Sequence, residues 1–161
     1  MSSTLSITEE SAFPAIGAEV LRTVEGAALK LRSLTDSRAA QPRAPGKWSP
    51  KQVIGHLIDS AANNHQRFVR AQQGPELVIP GYAQDAWVAA QGYQEESWEE
   101  LTALWRSYNR HLARVIARIP EDRRTITCTI GASAPVTLAF VASDYVRHLR
   151  HHLAQVGVVP D

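Results

Sequence analysis

With 161 residues, the chain has the size of one domain and is long enough to bury a core without disulfides. Its 17 Lys and Arg residues balance 16 Asp and Glu residues, and the two signs are interspersed, so we expect no nucleic-acid partner. The single cysteine, Cys128, and a beginning without a signal-peptide pattern predict a cytoplasmic protein, and no apolar run is long enough to predict a membrane span.

Four segments carry the apolar spacing of long helices. The second has the clearest start, because Ser49 can cap it, Pro50 suits its first position, and Gln52 completes a capping box. A second capping box, Ser97 to Glu100, opens the third helix. The predicted helices run from about Phe13 to Leu34, from Pro50 to Gln73, from Ser97 to Pro120 and from Leu138 to Val156. Four helices of about 20 residues, each about 30 Å long, predict a four-helix bundle.

The connections between these helices differ in length. Residues 75–96 separate the second and third helices, which is too long for a tight turn and predicts a crossover. Residues 125–130 alternate and are rich in β-branched side chains, and Gly131 follows as a turn signal, so we expect a small β-hairpin before the fourth helix. The sequence therefore predicts one all-α domain over residues 1–161, a four-helix bundle with a long crossover.

Three histidines are the strongest candidates for chemistry. His148 and His152 are four residues apart on the fourth helix, so their side chains point the same way and can hold one metal ion. His56 lies beside the apolar stripe of the second helix. His151 turns roughly 60° or more away from the pair, so we expect it to flank the site rather than to bind the metal.

Simpler interpretations of these histidines stay open from the residues alone. His148 and His152 can belong to a solvated basic face with Arg147 and Arg150. His56 can be a hydrogen-bonded histidine near the core.

A line of polar side chains follows His56 along the same face of the second helix, formed by Ser60, Asn63 and Arg67. Asn63 and Arg67 either face a substrate or are solvated. Asp59, one turn from His56, is either a charge on the helix surface or a group that orients an imidazole.

Two stretches of the sequence resemble a known family, the DinB/YfiT-like metal-dependent hydrolases. Residues 45–49, PGKWS, together with residues 52–56, QVIGH, and the polar positions that follow, are similar to the second helix of the YfiT branch. Residues 145–152, YVRHLRHH, are similar to the last helix, and Gln155 fits the HHxxQ ending of the wider family. The resemblance extends from about Thr23 to Val156, and its specificity comes from both histidine motifs occurring in the right helices and order.

This resemblance implies a bundle with a long crossover and one zinc or nickel ion per chain, bound by His56, His148 and His152. Some members are thiol S-transferases that use bacillithiol, mycothiol or glutathione, and many are called hydrolases only by analogy. A homodimer is also implied. In the YfiT branch a further histidine often stands where Gln155 stands here, so a role of that histidine does not carry over.

One open coordination position on such an ion predicts an enzyme acting on a small molecule, either a hydrolase or an S-transferase with a low-molecular-weight thiol as co-substrate. Thiol transfer has the better mechanistic case, because no Glu lies beside the ligands to act as general base. In a hydrolase, Asp59 or His151 would be that base. In either enzyme Asn63 and Arg67 would orient an anionic or polar substrate. The alternative function is a non-catalytic, stress-related bundle protein that binds a metal or a small ligand.

Overall fold

The computed structural model describes residues 6–158 as a helical bundle with a small sheet at one side. In chain order the elements are α1 (Phe13–Leu31), α2 (Asp36–Ala39), α3 (Pro50–Arg70), β1 (Glu76–Ile79), α4 (Gln84–Gln91), α5 (Trp98–Ala117), β2 (Thr127–Ile130), β3 (Val136–Thr137) and α6 (Leu138–Gln155). Single 3-10 turns span Tyr93–Glu95 and Glu121–Arg123. Within residues 6–158 no helix has both the length and the apolar character needed to cross a membrane.

The four long helices α1, α3, α5 and α6 form a ring. Both α1 and α3 pack against α5 on one side and against α6 on the other, so the order around the ring is α1, α5, α3, α6. The predicted apolar stripe of α3 faces this ring, because Ile54, Leu57, Ala61 and Phe68 are all buried. The predicted four-helix bundle is therefore confirmed, and α3 and α6 are neighbours in it.

The start of α3 has the local structure that its sequence predicts. Ser49 Oγ accepts a hydrogen bond from the backbone N–H of Gln52, and Gln52 Oε1 accepts one from the backbone N–H of Ser49. This capping box satisfies two N–H groups that an uncapped helix leaves free. The first two long helices end three residues earlier than predicted, because their last residues form single turns rather than continuing the helix.

The sheet joins the crossover to the segment before α6. Strands β2 and β3 are antiparallel, with Cys128 opposite Val136, which confirms the predicted hairpin. The third strand, β1, was not predicted, and it pairs in parallel with β2, placing Leu77 opposite Cys128. Because β1 lies in the crossover, this pairing fixes the residues that follow it, including Tyr82, near α6.

The second half of the crossover packs against the middle of α3, beside His56. The ring of Tyr93 lies so close to Gly55 that a Cβ atom on residue 55 would be 2.1 Å from Tyr93 Cδ2. Only glycine at this position lets the ring approach the helix. Tyr93 is buried in this contact and covers one face of α3.

Candidate metal centre

The structure brings together the three histidines that the sequence singles out. His56 lies on α3, and His148 and His152 lie one turn apart on α6, the neighbouring helix. One ring nitrogen of each can be chosen so that all three nitrogens lie within 4.8 Å of one another. His56 is fully buried and His152 is 9% exposed, so the cluster belongs to the interior of the bundle rather than to a solvated basic face.

The distance between two of the imidazole nitrogens fits a single metal ion. Nε2 of His56 and Nε2 of His148 are 3.2 Å apart. Two imidazoles bound to one tetrahedral zinc ion at roughly 2.05 Å place their nitrogens about 3.3 Å apart. The same 3.2 Å also allows one neutral imidazole to donate a hydrogen bond to the other. The donor set and its spacing therefore suit a divalent ion, while the role of the three residues as ligands stays a prediction.

One polar neighbour favours a single tautomer of His152, and a second lies beside His148. Nδ1 of His152 lies 2.9 Å from Oε1 of Gln155, an oxygen that can only accept a hydrogen bond. Nδ1 of His148 lies 3.4 Å from Oγ of Ser60. Protons on both Nδ1 atoms leave the Nε2 lone pairs free for a metal ion, as outer partners do in known metal sites. Nδ1 of His56 is buried, and residues 6–158 offer it no hydrogen-bond partner.

Burial keeps the three imidazoles neutral. It lowers the pKa of His56 to about 4 and the pKa of His148 to about 3, and the neighbouring imidazoles add to both shifts. Burial lowers the pKa of His152 as well, although its hydrogen bond to Gln155 acts in the opposite direction. Neutral imidazoles bind metal ions and imidazolium does not, so at pH 7 protons compete little for these nitrogens.

A pocket of about 320 Å³ opens beside His148, between α3, α6 and the segment that follows β1. One wall is apolar and comes mainly from α6 and the hairpin. The other wall is polar and carries Ser60, Asn64, Arg67 and Tyr82. The histidine cluster therefore has a cavity next to it that is large enough for a small molecule.

Asp59 does not lie on the surface. It is 2% exposed, and its Oδ1 accepts hydrogen bonds from Tyr93 Oη and from Gln91 Nε2, both at 2.7 Å. The interpretation as a charge on the helix surface is therefore wrong, because the crossover covers this face of α3. Burial raises the pKa of Asp59, whereas the two hydrogen bonds lower it. These bonds connect Asp59 to the crossover, and in the described part of the chain it makes none to an imidazole.

The other predicted polar residues fall in different places. Arg67 lines the pocket, but Asn63 does not, and its Nδ2 donates instead to the backbone oxygen of Asp59 in its own helix. Asn64 takes the predicted place of Asn63 on the pocket wall, where it accepts a hydrogen bond from Arg67 at 3.3 Å. His151 is exposed and lies outside the cluster, as expected, with its ring 5.0 Å from that of His152.

Some residues of the site were missed by sequence reasoning. Asn64 had a detectable signal, because it lies one helical turn after Ser60 and so belongs to the same face of α3. Tyr82, Gln91 and Tyr93 had none, because they come from the crossover and reach α3 only through tertiary packing.

Comparison with known proteins decides the family. A family model described as the DinB superfamily matches residues 21–156, which is most of the chain. The chain belongs to the DinB superfamily. The family resemblance predicted from the two histidine motifs is thereby confirmed.

Curated DinB-type relatives are distant but cover most of this chain. A protein of Oceanobacillus iheyensis is 22% identical over 128 residues, which cover 80% of this chain and 73% of the relative. YfiT of Bacillus subtilis is 25% identical over 124 residues, which cover 76% of this chain and 70% of YfiT. Both carry the name "putative metal-dependent hydrolase".

Two solved structures share the fold. The structure of YfiT from Bacillus subtilis, described as having an unusual four-helix bundle topology, matches with a TM-score of 0.73 and 22% identity over 87% of this chain and 83% of YfiT. A mycothiol-dependent maleylpyruvate isomerase matches with the same TM-score of 0.73 and 14% identity, over 98% of this chain and 64% of the longer isomerase chain. At these low sequence identities, the two matches show a shared fold and nothing more specific.

Proposed function

We propose that the protein is a metal-dependent enzyme in which His56, His148 and His152 bind one divalent ion, zinc or nickel, beside the pocket. The observation that carries this proposal is the cluster of three neutral imidazoles whose nitrogens lie within 4.8 Å of one another, beside a cavity that His148 lines. The names of the curated relatives, which refer to metal-dependent hydrolysis, support it. A purely structural site would use four protein ligands, whereas three leave a position for a substrate.

Three neutral imidazoles leave the full charge of the ion available for chemistry. A bound zinc ion lowers the pKa of a coordinated water or thiol and polarises a substrate. The chain positions the reacting groups: Gln155 and Ser60 orient two of the imidazoles. The ring of Trp48 packs beside two of the three histidines, with its centroid 5.0 Å from that of His56 and 6.5 Å from that of His152.

Thiol transfer is the reaction that this site supports best. In such a transfer a low-molecular-weight thiol loses its proton to solvent, its sulfur forms a bond to an electrophilic carbon, and the leaving group departs with the electrons of the broken bond. No general base on the protein is needed once the thiol is ionised. One of the two solved structures that share this fold, the maleylpyruvate isomerase, depends on the thiol mycothiol, which is in keeping with a reaction that uses a thiol.

Hydrolysis is the second candidate, and the names of the curated relatives favour it. It needs a general base, for which the sequence offers Asp59 and His151. Asp59 has one buried carboxylate oxygen without a hydrogen-bond partner among residues 6–158, but its other oxygen is held by the crossover. His151 is exposed, with its ring centroid 5.0 Å from that of His152. Neither residue lines the pocket, which makes hydrolysis the less favoured reaction.

The test uses protein purified without a polyhistidine tag and loaded with cobalt. Adding glutathione should change the visible spectrum of the cobalt site, and conjugation of an electrophile such as 1-chloro-2,4-dinitrobenzene should depend on the metal. Nitrophenyl ester hydrolysis measured on the same samples tests the second candidate. His148→Ala should abolish the reaction, whereas the control His111→Ala, an exposed histidine on α5, should not.

A loaded protein that performs neither reaction would leave a non-catalytic metal- or small-ligand-binding function instead. The homodimer implied by the family resemblance is a separate prediction. Sedimentation velocity at micromolar concentration tests it, and a monomer alone would contradict it.

A further inference from the structure

One arginine on the pocket wall has no acidic partner. Nη1 of Arg67 donates to Oδ1 of Asn64 at 3.3 Å, and among residues 6–158 no carboxylate lies within ion-pair distance of this guanidinium. Six arginines of the bundle are paired with Asp or Glu, whereas others without such a pair, such as Arg70, Arg114 and Arg118, are exposed to solvent. Arg67 is nevertheless half-buried, so it has lost part of its hydration without gaining a carboxylate in direct contact.

The surroundings of Arg67 suit a negatively charged group. Burial lowers the pKa of Arg67 and raises the pKa of the nearby Tyr82 hydroxyl, which therefore keeps its proton and can donate it in a hydrogen bond. Asp144 lies on the α6 wall of the same pocket, and its charge favours the protonated form of Arg67, but it is beyond ion-pair distance of Arg67 and forms an ion pair with Arg147. Of the two charged residues that line the pocket, Arg67 and Asp144, it is thus Arg67 that has no ion-pair partner among residues 6–158.

We infer that the pocket binds a small molecule carrying a carboxylate, with the carboxylate held by Arg67 and Tyr82 and the reacting end directed towards His148. A guanidinium offers two parallel N–H groups that match the two oxygens of a carboxylate. A phosphate group has more acceptor oxygens and more charge than a carboxylate, so its site would need more hydrogen-bond donors than this wall, with its one arginine, provides. The identity of the reacting end rests on the proposed function, whereas the carboxylate subsite does not.

The helix geometry sets the length of such a molecule. Arg67 bonds to Asn64, while Ser60, which is next to His148, lies one helical turn earlier on α3. Four residues of helix advance by about 6 Å. The carboxylate oxygens and the reacting atom should therefore be separated by roughly 6 Å, which corresponds to an extended chain of about five bonds.

The first test compares 4-mercaptobutanoate with its neutral analogue 4-mercaptobutanamide on the cobalt-loaded, full-length protein. The dissociation constant of each is read from the change in the cobalt spectrum. The acid should bind about tenfold more tightly than the amide, because a charge-assisted hydrogen bond replaces a neutral one. Mercaptoacetate is too short to contact Arg67 while its sulfur is at the metal, so it should bind no more tightly than mercaptoacetamide.

Variants assign the effect to Arg67. Arg67→Gln should reduce the ratio of the two dissociation constants to about one and leave the value for the amide unchanged, and Arg67→Lys should keep only part of the preference. The matched control is Arg70→Gln, which alters an exposed arginine one turn along α3 that bonds to Gln66. Equal affinities for acid and amide in the wild type, or a preference that survives Arg67→Gln, would overturn the assignment.

A second measurement does not depend on the metal. Phenylglyoxal modifies accessible arginines, and peptide mass spectrometry reports the rate at Arg67 in the protein as purified. Butanoate should slow this reaction several-fold, while butanamide should not, and methyl phosphate should protect less than butanoate. If neither thiol changes the cobalt spectrum, the proposed function fails while protection by butanoate still supports the subsite. Absence of protection overturns the subsite in either case.

Discussion

The contact between Gly55 and Tyr93 gives a test in which two similar substitutions should have opposite effects. In Gly55→Ala, the new Cβ would lie 2.1 Å from Tyr93 Cδ2, so the ring and the crossover must move. Overpacking of this kind costs about 1–3 kcal/mol. Moving Tyr93 also weakens its 2.7 Å hydrogen bond to the buried Asp59, a charged acceptor, which adds about 1.5–3 kcal/mol. Alanine also offsets about 0.5–1 kcal/mol through its helix propensity, so we expect the free energy of unfolding to fall by roughly 2–5 kcal/mol in total.

Gly26→Ala is the matched control, because Gly26 is also inside a long helix. A Cβ at this position meets no atom within 4 Å. Alanine should therefore stabilise α1 by about 0.5–1 kcal/mol through its helix propensity. Urea unfolding followed by circular dichroism measures both variants. In a Tyr93→Ala background the cost of Gly55→Ala should disappear. Equal stability of the two glycine variants would refute the packing described for the crossover.

Three further predictions concern the residues of the site and those around it. The folded-state pKa values of His56 and His148, about 4 and about 3, lie below the unfolded value of about 6.5. The unfolded chain therefore binds protons first, and urea unfolding of the metal-free protein should show stability falling as the pH drops from about 6.5 towards 4, by roughly 1 kcal/mol per pH unit for each histidine. Asp59→Asn keeps an oxygen that accepts from Tyr93 and should change the free energy of unfolding by less than about 1 kcal/mol, whereas Asp59→Ala should lower it by about 1–3 kcal/mol. Gln155→Ala removes the oxygen that orients His152 and should raise the dissociation constant for zinc about 10–100-fold, measured by competition with a chelator.

Features encoded by local patterns could be predicted from the sequence. The caps and apolar spacing of the long helices depend on neighbours within one or two turns, and the structure has those helices within a few residues of the predicted ends. The histidines of the candidate site could be identified for a similar reason. His148 and His152 share a helix face through their spacing alone, and the family resemblance added His56 on the other helix.

Features that depend on distant partners could not be predicted. Strand β1 is a short apolar run whose partner, β2, lies about fifty residues later, and four residues alone do not distinguish a strand from a loop. Asp59 is buried because the crossover folds back over α3. The periodicity of the α3 sequence does not predict this contact, since it describes only the helix itself. The choice between Asn63 and Asn64 depends on the side from which α6 approaches, because both lie within one turn of Arg67.

The most direct test of the three-histidine centre is the metal content of protein purified without a polyhistidine tag. Wild-type protein, His152→Ala and His151→Ala are compared by elemental analysis after equilibration with one equivalent of zinc and gel filtration. We predict one metal ion per chain for the wild type and for His151→Ala, whose side chain is exposed, and strongly reduced occupancy for His152→Ala. Full occupancy in His152→Ala, or equal loss in both variants, would contradict a site built from His56, His148 and His152.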